Sequence, residues 1–158
     1  MNLLFQKLTY QTNIVMNKYT RRLEPAYNVS PYFYEYYNSL SNLPFIFIGL
    51  ARLYFGVNDL TTQLYKYMIG CGICSGIHHM FHFRGSLILD YVPIVLSLRY
   101  LYIHNLFTQI HPVSMGLAAL ALFILFLDHI IQLMPVPWGH VMWHVCAAYA
   151  MDSCYHSL

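Results

Sequence analysis

Charge is what this sequence has least of: 9% of its 158 residues are Asp, Glu, Lys or Arg, where a soluble domain carries roughly 25%. With 58% hydrophobic residues there is too little polar surface to solvate a globule, and the composition predicts a membrane protein. The charges that remain sum to +2 and form no basic run, so nucleic-acid binding has no electrostatic footprint. The N-terminal MNLLFQKL lacks the apolar stretch of about 7–15 residues that a cleavable signal takes, which leaves insertion to internal spans. Cysteine is sparse too. Cys71, Cys74, Cys146 and Cys154 lie inside apolar segments, where thiols act as small packing residues, and no disulfide framework is expected.

What is present is a polar segment followed by a series of apolar runs. Residues 1–36 form the polar and interfacial part. They carry Lys7, Lys18, Arg21 and Arg22, the turn-forming PAYNVSP, and an aromatic cluster at Tyr32, Phe33, Tyr34 and Tyr36 that suits entry into a headgroup region. Residues 37–158 are expected to form an all-α, polytopic membrane helical bundle. Its spans read as 37–55, 64–83, 87–105, 113–133 and 138–155, and about five transmembrane helices of about 20 residues are the most the chain can hold. The connections GVND, HFRGS, IHP and MPVP are short, so neighbouring helices should be antiparallel in an up-and-down bundle. The face on which the chain starts collects the N-terminal Lys and Arg residues and Arg84, while the other has little beyond Lys66. The starting face is therefore expected to be cytoplasmic.

The same topology gathers polar side chains on that face: His79 near the end of the second helix, Asp90 at the start of the third, His140 and His144 at the start of the fifth. Residues four apart on a helix stack on one face, separated by about 6 Å of rise, so the two histidines of PWGHVMWHV can reach one point. His79 would add a ligand from a neighbouring helix. Three neutral imidazoles with one open position are the pattern of catalytic zinc, whereas structural zinc is closed by four protein ligands. Helix two also offers His78 and His82 at a spacing of four, and spacing alone does not choose among its histidines. Of the other polar groups in the spans, Arg99 and Asp152 are expected to pair in the bundle interior, and Asp128 with His129 is a weaker candidate for a site entrance. CGICSG, at residues 71–76, reads as close helix packing.

Three blocks then carry a family resemblance. EYYNSLSN (35–42) sets an acidic residue before an aromatic, Asn and Ser-Asn; SGIHHMFHFRGSLILD (75–90) places His79 four after Ser75 and Asp90 eleven after His79; GHVMWHV (139–145) contains HxxxH. In these blocks the chain resembles the alkaline ceramidases and the wider CREST superfamily of membrane hydrolases and receptors. The resemblance implies zinc held by His79, His140 and His144, with Ser75 and Asp90 beside it; neither His78 nor His82 satisfies both intervals. The chain departs from the family in two ways. The family has seven spans where five are read here, a loss that preserves the direction of the last helix but removes walls of a lipid cavity. The ceramidases also bind calcium through an acidic N-terminal loop. Glu24 and Glu35 match that loop, but Arg21 and Ala26 stand where oxygen ligands belong. A calcium ion takes 6–8 oxygens, so its binding would require Asn28 or backbone groups as substitutes.

What the resemblance implies is a zinc-dependent amidohydrolase that cleaves ceramide or a related N-acyl lipid. Asp90 would hold the attacking water as general base and pass its proton to the leaving amine, and Ser75 would hydrogen-bond the water or the developing oxyanion. The expected partner is a membrane lipid, with a second copy of the chain as one source of the missing walls. The expected location is an endomembrane, ER or Golgi, if the source is eukaryotic or viral. Two other readings remain: a non-catalytic zinc-containing receptor or scaffold of the same superfamily, and a haem protein. Haem ligation draws its axial ligands from the two sides of the ring, which a pair on one helix does not suit.

Overall fold

Pro44 decides how the first predicted span is built. It has no amide proton, and its ring excludes the carbonyl four residues earlier, so the helix predicted over 37–55 forms in two pieces. These are α1 (Tyr36–Leu40) and α2 (Leu43–Phe55), with Ser41 and Asn42 in the break. In the computed structural model, which describes residues 29–83, 85–127 and 138–158, the remaining helices are α3 (Asp59–Phe81), α4 (Ser86–Ile103), α5 (Pro112–Phe126) and α6 (Trp138–His156). A 3-10 turn at Phe107–Gln109 separates α4 from α5. No strand occurs among the described residues, and the chain is all-α.

Local chemistry sets the boundaries. α3 begins well before residue 64 because the Asn58 side chain accepts the amide of Thr61 at 2.8 Å and Asp59 adds a negative charge to the first turn, both favourable at a helix N-terminus. It stops at His82, whose φ is 40°. Gly85, with a φ of 89°, then reverses the chain into α4. The predicted end of the fourth span, with Asp128 and His129, lies outside the described residues, as do Arg84 and the segment containing Arg21, Glu24, Ala26 and Asn28.

Side-chain contacts give the helix directions. The end of α3 meets the start of α4 (His78 with Ser86) and the start of α6 (His79 with His140). The start of α5 meets the end of α6 (Ser114 with Ser153). Hence α2, α4 and α6 run one way and α3 and α5 the other, as an up-and-down order requires. α3 is central, packed by α2, α4 and α6, and α5 lies on the outer side of α6. α4 and α5 are consecutive in sequence without packing along their lengths; the connection between them instead buries Leu106 and Ile110 under the bundle.

The core is small and tightly approached. Leu64, Tyr65, Met68 and Ala148 are fully buried at its centre. α2 and α3 come so close at Gly72 that a Cβ there would lie 2.7 Å from Ile46 Cγ1 and 2.9 Å from Phe45 Cβ, which bears out close packing as the role of that glycine. The outer faces are apolar: Tyr54 and Phe55 at the end of α2, Ile88 and Val95 on α4, and Leu122 and Phe123 on α5 are all exposed. Among the described residues, Ser86–Ile103 is the one helix long and apolar enough to cross a membrane, and Pro112–Phe126 is apolar but shorter.

Replacing Gly72 with Ala should destabilise the α2–α3 contact by about 1–3 kcal/mol, read as a lower thermal midpoint in detergent. Gly116, where an added Cβ meets nothing within 4 Å, is the control: Gly116→Ala should be neutral or stabilising by up to about 1 kcal/mol.

Candidate metal centre

The last turns of α3 need partners for their terminal carbonyls. The segment before α1 supplies them, as the amides of Tyr34 and Glu35 donate to the carbonyls of Met80 and His79, each at 2.9 Å. This backbone clamp sets Glu35 directly beside His79. The break at Ser41–Asn42 lies against α6 and presents both side chains to His144. Three histidines from two helices are thereby surrounded by the polar residues of one short stretch, 35–42.

His79, His140 and His144 are all buried, and each offers a ring nitrogen within 4.8 Å of those of the other two. The Nε2 atoms of His79 and His140 are 3.4 Å apart, and the rings of His140 and His144 have centroids separated by 4.4 Å. His79 Nδ1 lies 2.6 Å from Glu35 Oε2, which also accepts from Asn38 Nδ2 at 3.2 Å. An ionised carboxylate only accepts, so the proton belongs on Nδ1 and the Nε2 lone pair of His79 is directed away from Glu35. His144 is oriented in the same manner by Ser41 Oγ, 2.6 Å from its Nδ1; the Ser41 hydroxyl donates onward to the Asn38 carbonyl at 2.9 Å. Burial opposes charge on Glu35, but the hydrogen bonds from His79 and Asn38 prevail and hold its carboxyl below the usual carboxylate range.

This arrangement can hold a metal ion. Zinc–nitrogen bonds of about 2.0–2.1 Å in tetrahedral geometry put two ligand nitrogens about 3.3–3.4 Å apart, which is the observed separation of the His79 and His140 Nε2 atoms. Histidine ligands characteristically donate their other ring N–H to a carboxylate or hydroxyl, which fixes tautomer and orientation. Glu35 and Ser41 do this for two of the three.

The other predicted residues are distributed unevenly around this centre. Ser75 is buried on α3, one turn before His79. Asp90 is half-buried near the start of α4, outside the three-histidine cluster. His78 bonds Ser86 Oγ through Nδ1 at 2.7 Å and His82 stacks on Tyr34 with centroids 4.5 Å apart; neither belongs to the three-histidine cluster. Glu35, expected from the resemblance at a calcium loop, accepts from His79 Nδ1; Glu24 lies outside the described residues. The expected Arg99–Asp152 pair does not form. Asp152 is held by Arg52, with Nε to Oδ1 and Nη2 to Oδ2 both at 2.8 Å, because α6 packs beside α2 while Arg99 sits on the exposed face of α4.

Asn38, Ser41 and Asn42 were given no role by sequence reasoning. Their signal was a run of polar side chains at spacings of three and four, starting at Glu35, in a segment that otherwise belongs to an apolar span. Replacing Glu35 with Gln keeps the volume and removes the charged acceptor. It should weaken binding of an added divalent metal ion by about 10–100-fold in a chelator competition, with Ser41→Ala weakening it through His144. Unchanged affinity in Glu35→Gln would show that the carboxylate charge does not strengthen His79 as a ligand, since a Gln oxygen can still accept its Nδ1 proton. Compared with protein-family profiles, curated proteins and solved structures, the chain matches none of them.

Proposed function

We propose that this protein is a zinc-dependent membrane hydrolase that cleaves the amide bond of ceramide or a related N-acyl lipid. The observation that carries the reading is the buried three-histidine centre, with ring nitrogens directed at one point by Glu35 and Ser41. Zinc held there would polarise the substrate carbonyl and make water nucleophilic at neutral pH. The chain's own contribution is positional: Glu35 and Ser41 hold His79 and His144 in the required tautomers, and Ser75 offers a hydroxyl for the oxyanion. Asp90, from the neighbouring helix, is the carboxylate available as general base.

The membrane assignment is supported by where polarity lies. Side chains such as Asn38, Asn42, His79 and His144 are buried while large apolar side chains cover the outside, the reverse of a water-soluble protein and the arrangement a bilayer demands. At about 1.5 Å per residue the 23 residues of α3 are long enough to cross a hydrocarbon core of about 30 Å, and the 19 of α6 fall just short of it. Their mean hydropathy is diluted by inward-facing His, Ser and Gly. A substrate with long acyl chains fits such a site, since its tails stay among helices and lipids while the amide reaches the metal. On this reading the protein is multi-pass in an endomembrane, with the zinc end cytoplasmic.

One observation favours a second reading, that of a non-catalytic zinc-containing receptor or scaffold: Asp90 stands outside the cluster. A haem is disfavoured by three ring nitrogens converging on a single point. Substitution separates the remaining two. His144→Ala should lose both zinc and lipid-amide cleavage, whereas Asp90→Asn should keep zinc and lower turnover by about 100-fold or more. Full activity in His144→Ala overturns the hydrolase. Zinc binding without any N-acyl lipid cleavage by the intact protein establishes the scaffold.

A further inference from the structure

At the end of the bundle away from the three-histidine centre, α2, α5 and α6 line an open cavity of about 500 Å³. Its wall is organised by Asp152. Oδ1 accepts from Arg52 Nε at 2.8 Å and from the Tyr65 hydroxyl at 3.1 Å, and Oδ2 accepts from Arg52 Nη2 at 2.8 Å. A guanidinium has five N–H donors in a rigid fork, so the bidentate pair fixes its plane and leaves donors unspent; the Arg52 side chain is 35% exposed.

Two histidines add to this. His111, at the start of α5, accepts the amide of Val113 on Nδ1 at 3.3 Å, which puts its ring proton on Nε2 and makes that atom a donor. His156, the last residue of α6, is exposed and also lines the cavity. The serine hydroxyls on the same wall are spent within the protein: Ser114 Oγ donates to the Ser153 carbonyl and accepts from Ser153 Oγ at 2.8 Å, and Ser157 Oγ donates to the Cys154 carbonyl. What the cavity presents is therefore a guanidinium fork and two imidazoles, with its one carboxylate already accepting three hydrogen bonds. Arg52 and Asp152 balance in charge, so the attraction comes from unspent N–H donors, which suit an anionic oxygen and offer nothing to a cation.

We propose that this cavity binds a phosphate group, carried either by a lipid headgroup or by a soluble phosphate. Arg52 supplies the charged fork, His111 and His156 supply further donors, and Tyr149 and Val113 form apolar wall suited to the rest of the ligand. The site is independent of the histidine centre and of the hydrolase reading.

The test uses the full chain in detergent, with helicity by circular dichroism as the folding control. The variants are the double substitution His111→Ala/His156→Ala, which leaves the Arg52–Asp152 pair intact, and Arg52→Lys, which keeps the charge but removes the fork. Two probes are compared. Inorganic phosphate is set against chloride at matched ionic strength, read as a thermal midpoint. Phosphatidylglycerol is set against diacylglycerol of the same chains in mixed micelles, read as lipid retained in native mass spectrometry. A midpoint raised by inorganic phosphate, and lost in the variants, assigns a soluble phosphate. Selective retention of phosphatidylglycerol alone, falling about tenfold in affinity in the variants, assigns a headgroup. A chain that prefers neither phosphate probe, or folded variants that bind as the wild type does, overturns the proposal.

Discussion

Glu35 and His79 meet at 2.6 Å in a place where water is excluded, and much of the architecture at that end follows from this contact. A buried imidazole without partners for its nitrogens costs free energy that the apolar surroundings cannot return. The carboxylate is equally costly to bury unless it is hydrogen-bonded, and it receives His79 and Asn38. To bring the two together the chain must pin residues 34 and 35 onto the carbonyls that end α3, and then turn into the bundle through α1. The backbone clamp and the side-chain contact support each other, the first satisfying a helix end and the second orienting a ligand.

The same constraint accounts for the distribution of polarity. The interior at one end is made of His, Asn, Ser and Glu, and at the other of Arg52, Asp152, Tyr65 and the serines of α5 and α6. Between them lies a short apolar core around Leu64, Met68 and Ala148. Each polar layer is held by hydrogen bonds among several helices, which gives the bundle specificity that nonpolar packing against an apolar exterior would not. Small residues do the rest: at Gly72 the approach of α2 brings the Ser41–Asn42 break within reach of His144.

Legibility in the sequence varied with the range of the interaction. The long helices were visible as apolar runs, and the direction of each followed from short connections. The breaks were less visible. Pro44 interrupts the first span without interrupting its hydrophobicity, so a reading by apolar content passes over it, although proline's missing amide is itself a sequence fact. His140 and His144 were found because an i, i+4 pair is local. His79 was separated from His78 and His82 only by a resemblance at the level of sequence; in the fold the separation is geometric, since adjacent helical residues point about 100° apart and only His79 faces α6.

The amino-acid sequence by itself determined the all-helical class, the approximate helix positions, the up-and-down order and the convergence of histidines at one end, because these depend on periodicity, loop length and parity. Only the tertiary structure decided that Glu35 serves His79, that Ser41 serves His144, that Asp152 pairs with Arg52 rather than Arg99, and that Asp90 stands apart from the cluster. Those outcomes turn on how far each helix is rotated and which neighbour it packs against. A difference of one residue, about 100° of rotation, changes every partner, and nothing in a local stretch of sequence records it.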